Sequence, residues 1–539
     1  QSPSAADGFN PNSDGNVYAV ATQADGRLLV AGQFSLFRNS NGFGIVRNNI
    51  ARFSPEGALD DAFNPNANGP IRALVIQPDG KIIIGGDFTA LQPNGAATTT
   101  TRNRIARLNA DGTVDAGFDP NLGGQLIPQV HALVLQPDGR IVVGGSFTTV
   151  QPNGAASATT RNYLARLNSD GTLDVSYDPN PNAIVLALAL HIDNKILVGG
   201  GFVRFQENGR FEPTFRSRIA RLNPSGVVDS EFDPNADNGV ASIAVQRDGR
   251  IVIGGFFSTV KPIGTSPAVI GLAGADAFPA LDIMYRLAFP SSSLSTPEGQ
   301  AAFNAWTANI LQKFGVTRWE ELPSDFRGRY ETNFQSLLTL YQETNPNAVV
   351  ATPAGQEAFN SWAAGVVQQF GVPFWEALPA DFAGRYDPAG TVPKLPEILP
   401  VARQRIARLN ADGTLDTNFV ANLNGNVLSV AIHPNGDILA GGLFNTFWGR
   451  GSETTEISHL ARLAPDGSLD LNFNPGINYA VDAVAFQSDG KIVVGGGFTH
   501  AEPVGSTTPI TRNRVARINP DGSIDSSFEL DQGGRRDAH

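Results

Sequence analysis

Short apolar runs, each opened by a polar turn and closed by a glycine pair, recur along most of the chain. The clearest is Gln77-Pro-Asp-Gly-Lys-Ile-Ile-Ile-Gly-Gly-Asp-Phe88, and the pattern returns at residues 136–147, 191–202, 246–257, 433–444 and 487–498, with a looser first copy at 23–34. Successive starts lie 54, 59, 55, 55, 187 and 54 residues apart, so one interval holds roughly 130 additional residues and the others share one period. Seven copies of near-constant length define an array.

Within a copy the apolar residues are spaced as strands. Ala132-Leu-Val-Leu, the turn Pro137-Asp-Gly139 and Arg140-Ile-Val-Val predict a hairpin whose glycine takes positive φ. A second hairpin is predicted from Ile105-Ala-Arg-Leu108 and Thr113-Val-Asp115, joined through Asn109-Ala-Asp-Gly112, and it recurs around Asp60, Asp174, Asp229, Asp416, Asp470 and Asp525. Four strands in each of seven periods predict an all-β, seven-bladed β-propeller of four-stranded blades. The three-residue turn puts Asn109 opposite Thr113, Leu108 opposite Val114 and Arg107 opposite Asp115. Arg52, Arg166, Arg221, Arg408, Arg462 and Arg517 each have an aspartate at the same spacing. An ion pair kept in every copy belongs to the architecture rather than to catalysis.

The blades resemble bacterial delta-60 repeats, whose Gln-Pro-Asp-Gly-Lys, Gly-Gly-x-Phe and Ala-Arg-Leu-Asn-x-Asp-Gly elements recur over residues 1–260 and 402–530. The resemblance implies a propeller of a kind found in exported bacterial proteins, and no defined reaction. His191 and His433 stand where other copies have Gln, and Asn194-Lys195 departs from Asp-Gly in blade four, so local turn differences are expected there.

The long interval is an insertion over residues 261–401, between the second and third strands of blade five, with a tail at 531–539 after the last blade. Its host loop opens Ser258-Thr-Val-Lys-Pro-Ile-Gly264, matching Thr148-Thr-Val-Gln-Pro-Asn-Gly154, so it decorates the face that also receives the connections between blades. It is itself duplicated, as units of about 295–347 and 351–390: Thr296-Pro-Glu-Gly-Gln-Ala-Ala-Phe-Asn-Ala-Trp306 matches Thr352-Pro-Ala-Gly-Gln-Glu-Ala-Phe-Asn-Ser-Trp362 at an offset of 56. A Thr cap followed by Pro, then Phe303, Trp306, Ile310, Leu311 and Phe314 on one face, predicts an α-helix, and residues 359–370 repeat it. Trp306 and Trp362 fit helical cores. Trp319 and Trp375, each followed by a glutamate, are candidate recognition residues.

The 539 residues carry 39 Lys plus Arg against 51 Asp plus Glu, a formal net charge of -12, which opposes binding to nucleic acid or to an anionic membrane. No apolar run approaches the length of a membrane span. The Asn-, Gly-, Thr- and Pro-rich composition with low charge density, and a start at Gln1 with Met284 the only methionine, suggest an extracellular or cell-surface protein whose signal peptide has been removed; with no cysteine, disulfides contribute nothing.

Candidate chemistry is sparse. Arg47, Arg102, Arg161, Arg216, Arg403 and Arg512 all precede a third strand, and a ring of them would suit acidic glycans or a carboxylate-rich partner, unless each pairs with an inter-blade Asp or Asn turn. The threonines at 98–101 read either as a glycosylated loop or as a plain polar one. No phosphate-binding loop, His-Glu-x-x-His or serine elbow is present, the six histidines are scattered, and no cofactor or metal is implied. The Asn-x-Asp-Gly turns lack the alternating carboxylates of a calcium loop. The leading expectation is therefore a noncatalytic scaffold binding a protein or glycan through the insertion-bearing face. The alternatives are a self-associating subunit of a filament or surface assembly, and a polysaccharide-acting enzyme, which needs paired acids converging on a cleft.

Overall fold

The computed structural model describes residues 12–38, 44–124, 127–207, 213–260, 401–449, 454–503, 506 and 508–525, and these contain strands and turns but no helix. The chain divides into two units, one of residues 1–265 with 400–539 and the other of 266–399. The second unit, with the expected helical repeats, Trp319 and Trp375, lies outside the described residues, as does the tail at 531–539.

Among the described residues, seven antiparallel sheets, each of three strands at least four residues long, follow one another along the first unit, with shorter ribbons beyond them. In the second of them Ile71–Ile76 pairs with Ile82–Gly86, which pairs in turn with Ile105–Leu108. Each first strand lies against the first strand of the next sheet, and Val481–Phe486 of the last sheet lies against Asn16–Thr22 of the first, so the order closes on itself. This is β-propeller architecture. The middle strands, such as Ile82–Gly86 and Ile141–Gly145, are buried at every position. Their unbroken apolar runs follow from having both faces covered by neighbouring sheets.

The expected fourth strand is reduced to one bridge per copy, Leu108 with Val114 and its six equivalents. The cause is the aspartate that follows. The Asp115 backbone N–H still donates to the Arg107 carbonyl, but its carboxylate then accepts the Gly117 N–H and its carbonyl the Phe118 N–H. That turn leads the chain away before a second rung can form.

The predicted arginine–aspartate pairs are present in all seven copies, with N–O distances of 2.7–2.8 Å. Each guanidinium also reaches across to the next sheet and donates to the carbonyl of its Asn-x-Asp-Gly turn or the equivalent: Arg52 to Ala110, Arg107 to Ser169, Arg166 to Pro224, Arg221 to Ala411, Arg408 to Pro465 and Arg462 to Pro520. Arg517 closes the series on Pro55 of the first sheet. In six copies the arginine lies 4.1–4.7 Å over the ring of Phe63, Phe118, Tyr177, Phe232, Phe419 or Phe473. Burial alone would raise the Asp115 carboxyl, but Lys81, the Gly117 N–H and Arg107 outweigh it and bring it down to about 2.

The two glycines of each pair have separate uses. A Cβ on Gly144 would come 2.5 Å from Val185 Cγ1 of the next sheet, whereas one on Gly145 would come 2.0 Å from the Gln129 carbonyl of its own sheet. The last sheet meets the first in the same way, with Val17 in the space at Gly495. Asn194 takes the glycine position of its turn at φ 63°, so the fourth copy keeps the hairpin despite its altered sequence. His191 packs there with Nδ1 2.6 Å from Asp193 and Nε2 3.1 Å from the Gly249 carbonyl.

Beyond the second and third strands the hairpin extends as a two-residue ribbon. In the fifth copy this ribbon pairs Thr259 with Ala402 and Val260 with Val401, as the third copy pairs Thr149 with Thr160 and Val150 with Thr159.

Two substitutions test these joints. Gly144→Ala is expected to cost about 1–3 kcal/mol by overpacking, with part of that recovered in the Gly144→Ala, Val185→Ala double variant. Arg52→Met, which strands the Asp60 carboxylate, is expected to cost about 3–5 kcal/mol. Thermal or denaturant unfolding of the purified variants reads both.

Candidate functional site

Positions identical in every copy hold the ring together, so candidate function lies where equivalent positions differ. Each first strand carries a β-bulge near its start, where the second glycine lets the backbones approach closely. The bulged residues are Tyr18, Arg72, His131, Leu186, Ala241, Leu428 and Asp482. A bulge re-aims its side chain, and the seven bulged residues stand at equivalent positions on first strands that pack against one another in a closed order. Residues from neighbouring sheets meet there: the Arg72 guanidinium lies 5.2 Å from the Tyr18 ring. Asp482, Tyr18, Arg72 and His131 occupy four consecutive sheets across the closure, while Leu186, Ala241 and Leu428 occupy the other three. The ring is therefore polar on one arc and apolar on the other.

Asp87, at the end of a middle strand, organises the polar arc. Arg72 binds its carboxylate through Nε at 2.7 Å and Nη2 at 2.9 Å, and Gln129 Nε2 donates to it at 2.9 Å. Tyr18 donates its hydroxyl to Gln33 Oε1 at 3.0 Å. His131 Nε2 is buried with no hydrogen-bond partner. Desolvation, with the Arg72 charge, lowers the His131 pKa to about 4 against the opposing pull of Asp87, so its ring is neutral at physiological pH. Burial pushes the Asp482 carboxyl up to about 6. Such an arrangement can bind and orient a ligand. Asp87 is engaged by Arg72 and Gln129, and among the described residues Asp482 has no side-chain partner.

The six arginines before the third strands are placed differently from an open ring. All are at most 9% exposed. Arg102 donates Nε to the Phe118 carbonyl at 3.0 Å, and its Nη atoms bond the carbonyls of Thr101, Asp115 and Ala116 and the Asp119 carboxylate. Arg216 repeats this with Phe232, Phe215, Asp229 and Ser230. Arg161 bonds Thr160, Val175 and Asp178, and Arg47 bonds Val46, Asp60 and Asp61. Arg512 bonds Thr511, and the Arg403 side chain is likewise buried, beside the ribbon at which the long segment joins. In Arg47, Arg102, Arg161 and Arg216 the guanidinium bonds carbonyls and carboxylates of the turns between sheets.

The spacing of the repeats did not point to Tyr18, Arg72, His131 and Asp482 as a group. The available signal was the position one residue after the buried aliphatic that starts each first strand, where seven otherwise similar copies differ. Among the described residues no group of three or more His, Asp or Glu side chains is placed to hold a metal ion. Asp111 and its equivalents in the Asn-x-Asp-Gly turns accept the backbone N–H and hydroxyl of Thr113 or its counterpart, which is turn chemistry. A cleft of about 510 Å³ between the first two copies is lined by Asn48, Asn66, Asn68 and Gln92. Asn48 and Asn66 bond each other there, and Asn68 bonds Thr89 and Ala90.

Closed sheet order, repeated joints and a varied inner ring define a β-propeller repeat protein. Residues 23–63, 77–118, 136–177, 193–232, 400–419, 433–473 and 487–528 match the family described as "Domain of unknown function (DUF5122) beta-propeller". No curated protein matches the chain closely enough to count as a relative. Similar solved structures include virginiamycin B lyase from Staphylococcus aureus, at 17% identity over 49% of this chain and 71% of that one, with a TM-score of 0.28. The RRP9 WD40 repeats align over 96% of this chain and 98% of that one, at 11% identity and a TM-score of 0.39. A gluconolactonase from Xanthomonas campestris aligns over 47% and 83%, at 15% identity and a TM-score of 0.23.

The raised Asp482 pKa has a definite sign in stability. The folded state holds this proton more tightly than the unfolded chain, so the contribution is neutral below about pH 4 and becomes unfavourable as pH rises through about 6. Asp482→Asn is expected to stabilise the protein by roughly 2–3 kcal/mol at pH 7.5 and by little at pH 4. Melting curves of the two proteins across that range check it.

Proposed function

We propose that the chain is a seven-bladed β-propeller acting as a noncatalytic scaffold outside the cell or at its surface, with residues 261–400 as the recognition element for a protein or glycan. The observation that carries this reading is the ribbon of the fifth copy. Val260 and Val401 are directly paired, so the intervening segment leaves and returns at one place. The sheet behind it keeps the register of its neighbours, and its Arg408–Asp416 pair is intact. A rigid scaffold that carries variable connections is a common basis for binding. The duplicated Thr-Pro…Trp sequence within the segment supports a helical element, and the likeness of the repeats to the delta-60 type supports export.

The test compares intact protein with a variant in which a short Gly-Ser linker replaces residues 262–400, both first shown to melt cooperatively. Each is used to capture partners from the extracellular fraction of the source organism, and each is run on size exclusion over a range of concentrations. A partner held by the intact chain alone is the expected result. Equal capture by both proteins overturns the assignment to the segment. Concentration-dependent self-association that disappears with the segment favours the assembly alternative.

A further inference from the structure

Asp482 is the one carboxylate among the bulged residues, and among the described residues it has no hydrogen-bond or ion-pair partner. Its neighbours in the ring are Tyr18 from the following sheet and Leu428 from the preceding one. The strands packed around it, Asn16–Thr22, Val427–Ile432 and Ile492–Gly496, carry no cationic side chain, and Tyr18 is the only other titratable residue on them. The Arg72 guanidinium, which lies against the Tyr18 ring, is held by Asp87, and that of Arg514 donates to the Gly497 carbonyl just beyond the middle strand of the Asp482 sheet. Natural interiors rarely leave a half-buried carboxylate without a counter-charge, because desolvation is then uncompensated.

The missing counterpart has a definable chemistry. It is cationic, since it faces a carboxylate. It is an organic cation rather than a metal ion, since the bulged residues on the two adjacent first strands, Tyr18 and Leu428, add no second carboxylate. An ammonium group gains from both the carboxylate and the ring, and an attached apolar body gains from Leu428, Ala241 and Leu186. We propose that the inner ring is a binding site for a small ligand bearing a protonated amine, with the ammonium between Asp482 and Tyr18 and its apolar body along the Leu428 side.

Calorimetric titration of the full chain with n-hexylammonium chloride tests this, with hexanol and sodium hexanoate as the uncharged and oppositely charged probes. Saturable binding of the ammonium alone is expected at pH 7.5, weakened tenfold or more at pH 4.5, where Asp482 is protonated. Asp482→Asn is expected to abolish it, while Asp489→Asn, in the exposed turn of the same sheet, leaves it unchanged. Leu428→Lys supplies an internal ammonium while keeping the carboxylate, and is expected to block binding as completely as Asp482→Asn. Equal binding of hexanol, preference for hexanoate, or undiminished binding by Asp482→Asn or by Leu428→Lys overturns the proposal.

Discussion

One side chain, repeated seven times, joins this ring: an arginine that pairs with an aspartate of its own copy and reaches a backbone carbonyl of the next. Each contact alone is modest. Together they satisfy a buried guanidinium on several sides, with an aromatic face beneath it in each of the six copies whose ring lies among the described residues. Because one arginine touches two sheets, the fold of each copy and its junction with its neighbour depend on the same group. That coupling explains why the pair does not vary while the surrounding loops do.

The glycine pair performs the complementary task by steric means. Its first member admits an aliphatic side chain from the next sheet, and its second admits the backbone of its own first strand. The resulting bulge turns one residue per copy inward, free of the packing demands on its neighbours. Chemistry can change at that place without disturbing the ring. Tyr18, Arg72, His131 and Asp482 have accumulated on one side of it, and only Asp87 is needed beyond them to fix the geometry of Arg72.

Much of the fold could be read from local spacing. The Arg107–Asp115 pair and the bridge between Leu108 and Val114 follow from hairpin register alone. The fourth strand was overread because a run such as Thr113-Val-Asp115 looks extended until the aspartate's turn to Gly117 is seen. The arginines before the third strands have the composition of a binding surface, and only coordinates reveal carbonyls already occupying their donors. The inner ring was hidden for a different reason. Its members lie in separate copies, and closure of the last sheet on the first brings Asp482 beside Tyr18, 464 positions earlier in the chain.

Among the described residues, that closure involves no exchanged strand. Val17 enters the space at Gly495, and Arg517 reaches Pro55, just as Val185 enters the space at Gly144 and Arg107 reaches Ser169. The seam is thus chemically the same as the junctions between consecutive sheets, and covalent continuity is not what makes any of them. A circularly permuted chain, opened at a connection between two sheets and joined across the seam, would contain the same set of joints, so the molecule has a cyclic order of copies but no structurally privileged first one.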